Sequence, residues 1–137
     1  MERAKNLRIG ALGEAIASKY LENKGFLILS RNYRMKCGEI DIIAEKGGVI
    51  HFVEVKSVSC EIFDNSGPHV SRETDAFRPE DNIHPGKLKR IFRTLQVFLA
   101  EKYTNKAPDW QVDAITVKLD LNSRRSIVKF MDNIVVN

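Results

Sequence analysis

The sequence predicts one α/β domain in three layers, a central mixed β-sheet flanked by helices, and three observations lead to it. The stretch from Gly38 to Ser57 alternates apolar and polar residues on either side of Gly47-Gly48, the pattern of a β-hairpin. Apolar residues at helical spacing precede it, from Asn6 to Lys24, and follow it, from Pro85 to Tyr103. Two further alternating stretches, Trp110 to Leu119 and Ser126 to Phe130, supply closing strands. A chain of 137 residues can bury one real core but not two, so the whole of 1–137 is read as a single domain.

The first helix is predicted from about Asn6, a capping residue, to Lys24, with Gly25 placed to end it. Leu7, Leu12, Ile16, Tyr20 and Leu21 form its apolar stripe, while Lys19, Glu22 and Asn23 face water. Gly10 and Gly13 weaken the helix, which predicts close packing against another backbone. Glu14 falls on the stripe, where an unpaired carboxylate is costly. Either it reaches solvent at the stripe's edge or it is a third acid directed at a cation-binding pocket.

Phe26 to Tyr33 reads as a buried or nearly buried strand, with Phe26, Ile28 and Ser30 on one face and Leu27 and Leu29 on the other. Arg31, Arg34 and Lys36 then lead into the hairpin, either as ordinary loop charges or as contacts to a phosphate backbone.

In the hairpin itself, a two-residue turn sets Lys46 opposite Val49, and counting back sets Asp41 opposite Glu54 and Glu39 opposite Lys56. Alternation then places Glu39, Asp41, Glu54 and Lys56 on one face and Ile40, Ile42, Val53 and Val55 on the other. Opposed carboxylates sit roughly 5 Å apart and repel unless a cation or proton lies between them. A hard divalent metal suits this pair, because Mg²⁺ is commonly held by one or two carboxylates and keeps its other positions for water and phosphate. Lys56, on the same face, would stabilise charge on a phosphate oxygen or orient an attacking water. The plain alternative is a salt-bridged sheet face.

From Cys60 to Gly86 no periodicity persists, which predicts a long lid, a partner-binding loop or a disordered segment. It is acidic: six acids between Glu61 and Asp81 stand against Arg72 and Arg78. His69 and His84 fall within it and His51 on the second hairpin strand; all three are read as surface or hydrogen-bonded residues. Cys37 and Cys60 are read as two thiols, too few for a zinc site.

The second helix opens at Pro85, well suited to the first helical position. Leu88, Ile91, Phe92, Leu95, Phe98 and Leu99 make its core stripe. Lys87, Lys89, Arg90, Arg93, Lys102 and Lys106 against Glu101 make the segment basic. That is either a solvated face or, beside an acidic pair, a grip for phosphates. On the fourth strand Asp113 shares a face with Gln111 and Ile115, and spacing gives it no ligand role.

The residues Asp41 and Glu54-Val55-Lys56, an acid on one strand and Glu-x-Lys on the next, resemble the PD-(D/E)XK nuclease core. With Gly10, Gly13, Glu14, Ala17, Tyr20, Leu21, Gly25, Arg31-Asn32, Arg34, Gly38 to Asp41, Phe52 to Lys56, Lys87 and Asp113, the wider pattern resembles the YraN-type family, itself similar to archaeal Holliday-junction resolvases. The resemblance implies a restriction-endonuclease-like core and Mg²⁺- or Mn²⁺-dependent hydrolysis of nucleic acid, DNA ahead of RNA. It implies Asp41 and Glu54 as metal ligands, Glu14 binding the metal directly or through water, and Lys56 assisting the attacking water; Glu39, set opposite Lys56 by the register, would orient that lysine. Lys87, Arg90, Arg34 and Arg31 would contact nucleic acid, and Asp113 would play a supporting part. A branched substrate and a homodimer follow only from the likeness to resolvases. Two residues depart from the pattern: Ile40 replaces the proline of the superfamily's name, and Val58 stands where a basic residue is usual. The second departure keeps open a nucleic-acid-binding or protein-interaction module without turnover.

The formal charge of +4 permits a polyanionic partner without demanding one. Arg3, Lys5 and Arg8 interrupt the start of the chain, and no stretch is apolar enough to span a membrane, which predicts a cytoplasmic protein.

Overall fold

The computed structural model describes residues 2–60 and 85–134. The acidic stretch with His69 and His84 lies outside them. Helix α1 (Glu2–Asn23) leads into strands β1 (Leu27–Met35), β2 (Gly38–Lys46) and β3 (Val49–Ser59). Helix α2 (Pro85–Lys102) and strands β4 (Asp109–Asp120) and β5 (Arg125–Met131) complete the order. The sheet runs β1-β2-β3-β4-β5, antiparallel except for the parallel pair β3 and β4, which α2 connects. Among the described residues each face of the sheet carries one helix, giving the α/β three-layer arrangement.

Helix α1 begins at Glu2, so Asn6 lies inside the helix and does not cap it. Its end follows expectation: Gly25 takes φ 94°, the Gly25 N–H bonds the Glu22 carbonyl at 3.0 Å, and the Phe26 N–H bonds the Leu21 carbonyl at 2.9 Å. This is a Schellman ending, whose left-handed residue is glycine because it carries no Cβ.

The buried face of α1 is Ile9, Gly13, Ala17, Ser18 and Leu21. Leu7 and Leu12, expected on the stripe, are 66% and 44% exposed. Small residues selected the face: a Cβ on Gly13 would lie 2.7 Å from the Cβ of Ser57, so only glycine admits α1 this close to β3. At Gly10 no described residue stands within 4 Å of a Cβ built there, so the close packing expected of both glycines is seen at Gly13 alone among the described residues.

On the α1 side, Leu21, Ile42, Val53, Ile115 and Val117 form one core; on the α2 side, Ile43, Phe52, Leu95, Phe98 and Val112 form the other. Strand β1 is an edge strand with Leu27 61% exposed, not the buried strand its composition suggests. A run of apolar residues cannot distinguish an edge from a central position.

The hairpin keeps its predicted register from Lys46–Val49 to Ile42–Val53, around a turn in which Gly47 and Gly48 have φ 60° and 80°. Beyond Ile42–Val53 the ladder between β2 and β3 stops. On the other side of β2, the pairing with β1 passes from Arg31–Ile42 to Tyr33–Ile40 without an Asn32–Asp41 pair, and Asn32 has φ 54°. The β1–β2 register is the same on both sides of this gap, and its one shift lies between Ile28 and Ser30; what changes at the gap is the side-chain alternation of β2. Ile42 accordingly packs on the α1 side and Ile40 on the α2 side, although strict alternation puts both on one face.

Candidate functional site

Where the alternation of β2 breaks, Asp41 leaves the sheet ladder and its carboxylate turns toward β3. Its Oδ2 accepts the N–H of Val55 at 2.8 Å. Glu54 is buried beside it, and its Oε1 pairs with the ammonium of Lys87 in the first turn of α2. The two predicted acids therefore meet, and Lys87 meets them.

Burial, reinforced by the Glu54 charge and, less, by Glu14, pushes Asp41 up to about 8; the Val55 N–H and the Lys87 charge oppose this without overcoming it. Glu14 on α1 is half-buried, and its side chain hydrogen-bonds Asn32. Its pKa is raised, first by desolvation, with Glu39 and Glu54 adding to the rise while Asn32 and Arg31 counter it. Three acids from two strands and a helix thus feel one another, with too little positive charge among them.

Two clefts open onto this cluster, and Asp41, Glu54 and Lys87 line both. One, of about 350 Å³, is bounded by Arg34, Glu39, Arg90 and Ile91. The other, of about 720 Å³, lies between the first half of α1, with Lys5, Gly10 and Glu14, and the end of β3, with exposed Lys56. Volumes of this order accommodate small ligands or a segment of a polymer.

Glu39 departs from its expected place. Because the β2–β3 ladder ends at Ile42–Val53, Glu39 does not stand opposite Lys56; it pairs with Arg34 of β1, whose Nε donates to Oε2 at 2.9 Å. The orienting role expected for Glu39 falls with the register that suggested it. Arg34 is engaged by the same pair, Arg31 is exposed near Glu14, and Arg90 borders the smaller cleft.

Asp113 lies elsewhere. It lines neither cleft; fully buried, it accepts from His51 Nδ1 at 2.5 Å, Gln111 Nε2 at 2.7 Å and the Asn133 N–H at 2.7 Å. His51 is thus a hydrogen-bonded residue, as expected. The role of this cluster is to fix the chain after β5 against β4, where the Ile134 N–H also bonds the Val112 carbonyl at 2.8 Å.

The side chains able to hold a cation are Asp41 and Glu54, with Glu14 in electrostatic reach. Among the described residues no set of three or more His, Cys, Asp or Glu side chains is gathered tightly enough to enclose a metal alone. Asn32, Lys5 and Gly10 belong to the surroundings although no spacing argument gives them a part; Asn32 takes a positive φ, which asparagine tolerates.

Fold and site together define an α/β domain with an acid cluster where the β2–β3 ladder ends, open on two sides. Residues 13–117 match the family described as "Uncharacterised protein family UPF0102", and the chain belongs to that family, the YraN-type group its motifs resemble. A UPF0102 protein of Wolinella succinogenes is 38% identical over 136 residues, covering 99% of this chain and 100% of that protein. One from Clostridium botulinum is 37% identical over 123 residues, 89% of each chain. One from Geotalea uraniireducens is 39% identical over 107 residues, 78% of this chain and 74% of its own. Among the described residues no helix is long and apolar enough to cross a membrane.

Proposed function

We propose that this protein is a metal-dependent nuclease that hydrolyses phosphodiester bonds, DNA ahead of RNA. The observation that carries the reading is the Asp41–Glu54 pair: two adjacent buried carboxylates, one driven to about 8 by burial and by the other, at the meeting of two clefts. Two carboxyl groups held where burial and mutual repulsion keep one of them protonated fit a cation that takes the proton's place. The donor set is all oxygen, as Mg²⁺ or Mn²⁺ requires, and two carboxylates suffice when water and phosphate complete the shell.

In this reading Asp41 and Glu54 hold the ion, and Glu14 reaches it directly or through water, kept in place by Asn32. The ion, when bound, polarises a phosphate oxygen and lowers the pKa of water. Lys56, exposed on the cleft two residues beyond Glu54, orients the attacking water or meets charge developing on the phosphate. Lys87 neutralises Glu54 until a phosphate takes the ammonium over. Arg90 and Arg34 border the same opening and supply backbone contacts. The likeness to Holliday-junction resolvases supports flaps and junctions as first substrates.

The test is a Mn²⁺ titration by calorimetry on wild type and Asp41→Asn, followed by cleavage of flaps, junctions and single strands. The nuclease reading expects metal uptake and cleavage in wild type and neither in the variant, with DNA binding kept. DNA binding with no metal uptake and no product in wild type would instead identify a binding module on this scaffold.

A further inference from the structure

We infer that the larger cleft, between α1 and the end of β3, receives the sugar–phosphate backbone of one nucleic-acid strand, and that Gly10 is what lets the strand come close. The ligand class rests on the nuclease reading; the location rests on three observations that do not.

The first is a strand edge that no described strand pairs. Pairing with β2 ends at Val53, while β3 continues to Ser59 along β4. The Val55 N–H on the β2 side is taken by Asp41. By alternation the main-chain groups of Ser57 and Ser59 point to that same edge, where the described residues offer no ladder partner. Main-chain donors beside lysines are a recurrent way to hold phosphate oxygens.

The second is the contrast between two glycines on one helix. Gly13 is required by Ser57, which a Cβ there would strike. Gly10 has nothing within 4 Å, lies inside the helix and lines the cleft, so nothing in the described chain explains a residue that weakens the helix. Among the described residues this space at the cleft wall has no occupant, and in this reading it takes a strand from outside.

The third is charge and continuity. Lys5 and Lys56 stand on opposite walls of this cleft, and Asp41, Glu54 and Lys87 connect it to the opening bordered by Arg34 and Arg90. Glu2 and Glu14 share the α1 wall, so the surface is not uniformly basic and the lysines act as separate point contacts. A strand entering past Arg90 would cross the carboxylates and leave between Lys5 and Lys56. A polypeptide strand paired with the same β3 edge gains from the lysines only where it carries acids, whereas a nucleic-acid strand brings a phosphate with every nucleotide.

The experiment is anisotropy of a labelled single-stranded DNA with the full chain in EDTA, across a salt series, for wild type, Gly10→Ala, Gly10→Leu and Lys5→Ala. Thermal melts accompany it, and both Gly10 variants are expected to melt no lower than wild type. Gly10→Leu should weaken binding at least about tenfold, Gly10→Ala far less, and Lys5→Ala should reduce the log–log salt slope by about 0.7. Mn²⁺ uptake by Gly10→Leu should match wild type. If Gly10→Leu and Lys5→Ala bind DNA as wild type does, the strand path is wrong, whatever the metal titration says. A wild type that binds DNA but no metal, with Gly10→Leu defective, retains the strand path and overturns the nuclease. A wild type that binds no DNA but captures an unstructured peptide at this edge overturns both.

Discussion

Asp41 stands where the hairpin's ladder has ended, and its Oδ2 accepts the Val55 N–H at 2.8 Å, doing for the main chain what a backbone carbonyl would otherwise do. This bond fixes the carboxylate on a rigid strand, close enough to Glu54 for the two to repel. The site's chemistry follows from that one substitution of a side chain for a ladder partner.

Stability should therefore depend on pH through Asp41. A carboxyl raised from the ordinary 3.8 to about 8 keeps its proton in the folded state while the unfolded chain loses it. Its contribution is complete below about pH 4, falls away as pH rises, and is lost above about 8. Without metal, Asp41→Asn should match wild type near pH 4 and exceed it by several kcal/mol near pH 9, since each tenfold difference in proton affinity between the folded and unfolded chain is worth about 1.4 kcal/mol. Urea melts at the two pH values measure this; parallel curves would contradict it.

Metal uptake should carry the same signature with opposite consequence. A cation must displace the Asp41 proton, so Mn²⁺ affinity should climb between about pH 6 and 8, by up to roughly tenfold per pH unit, and then level off. Lys87→Met removes the ammonium from Glu54 and should tighten Mn²⁺ several-fold while weakening DNA. Calorimetry in buffers of different ionisation enthalpy counts the released protons.

The two glycines of α1 should answer oppositely to alanine. Gly13→Ala drives a Cβ into Ser57 and should cost about 1–3 kcal/mol, partly recovered by adding Ser57→Gly. Gly10→Ala meets nothing and should stabilise by about 0.5–1 kcal/mol. Chemical denaturation of the four proteins decides it.

Asp113 should prove structural. Removing its carboxylate leaves His51, Gln111 and the Asn133 N–H without their buried acceptor, so Asp113→Ala should cost about 3 kcal/mol. Mn²⁺ affinity of the folded variant should stay that of wild type, since Asp113 lines neither cleft. A loss of metal uptake with the fold intact would place it in the site after all.

Local signals carried much of this in the sequence. Period and turn residues determine where β2, β3, α2 and β4 lie, Gly25 determines where α1 ends, and Gly47-Gly48 determines the register that brings Asp41 near Glu54. These depend on neighbours a few residues away, which is what a sequence displays. The tertiary structure decided the rest. It made β1 an edge, exposed Leu7 and Leu12 by letting Gly13 choose the buried face, gave Glu39 to Arg34, and broke the alternation of β2 between Ile40 and Ile42, where Asp41 leaves the ladder. It also brought Lys87 to Glu54 and Glu14 to Asn32. Each of these depends on which distant backbone reaches a residue first, and periodicity along one chain holds no record of that distance.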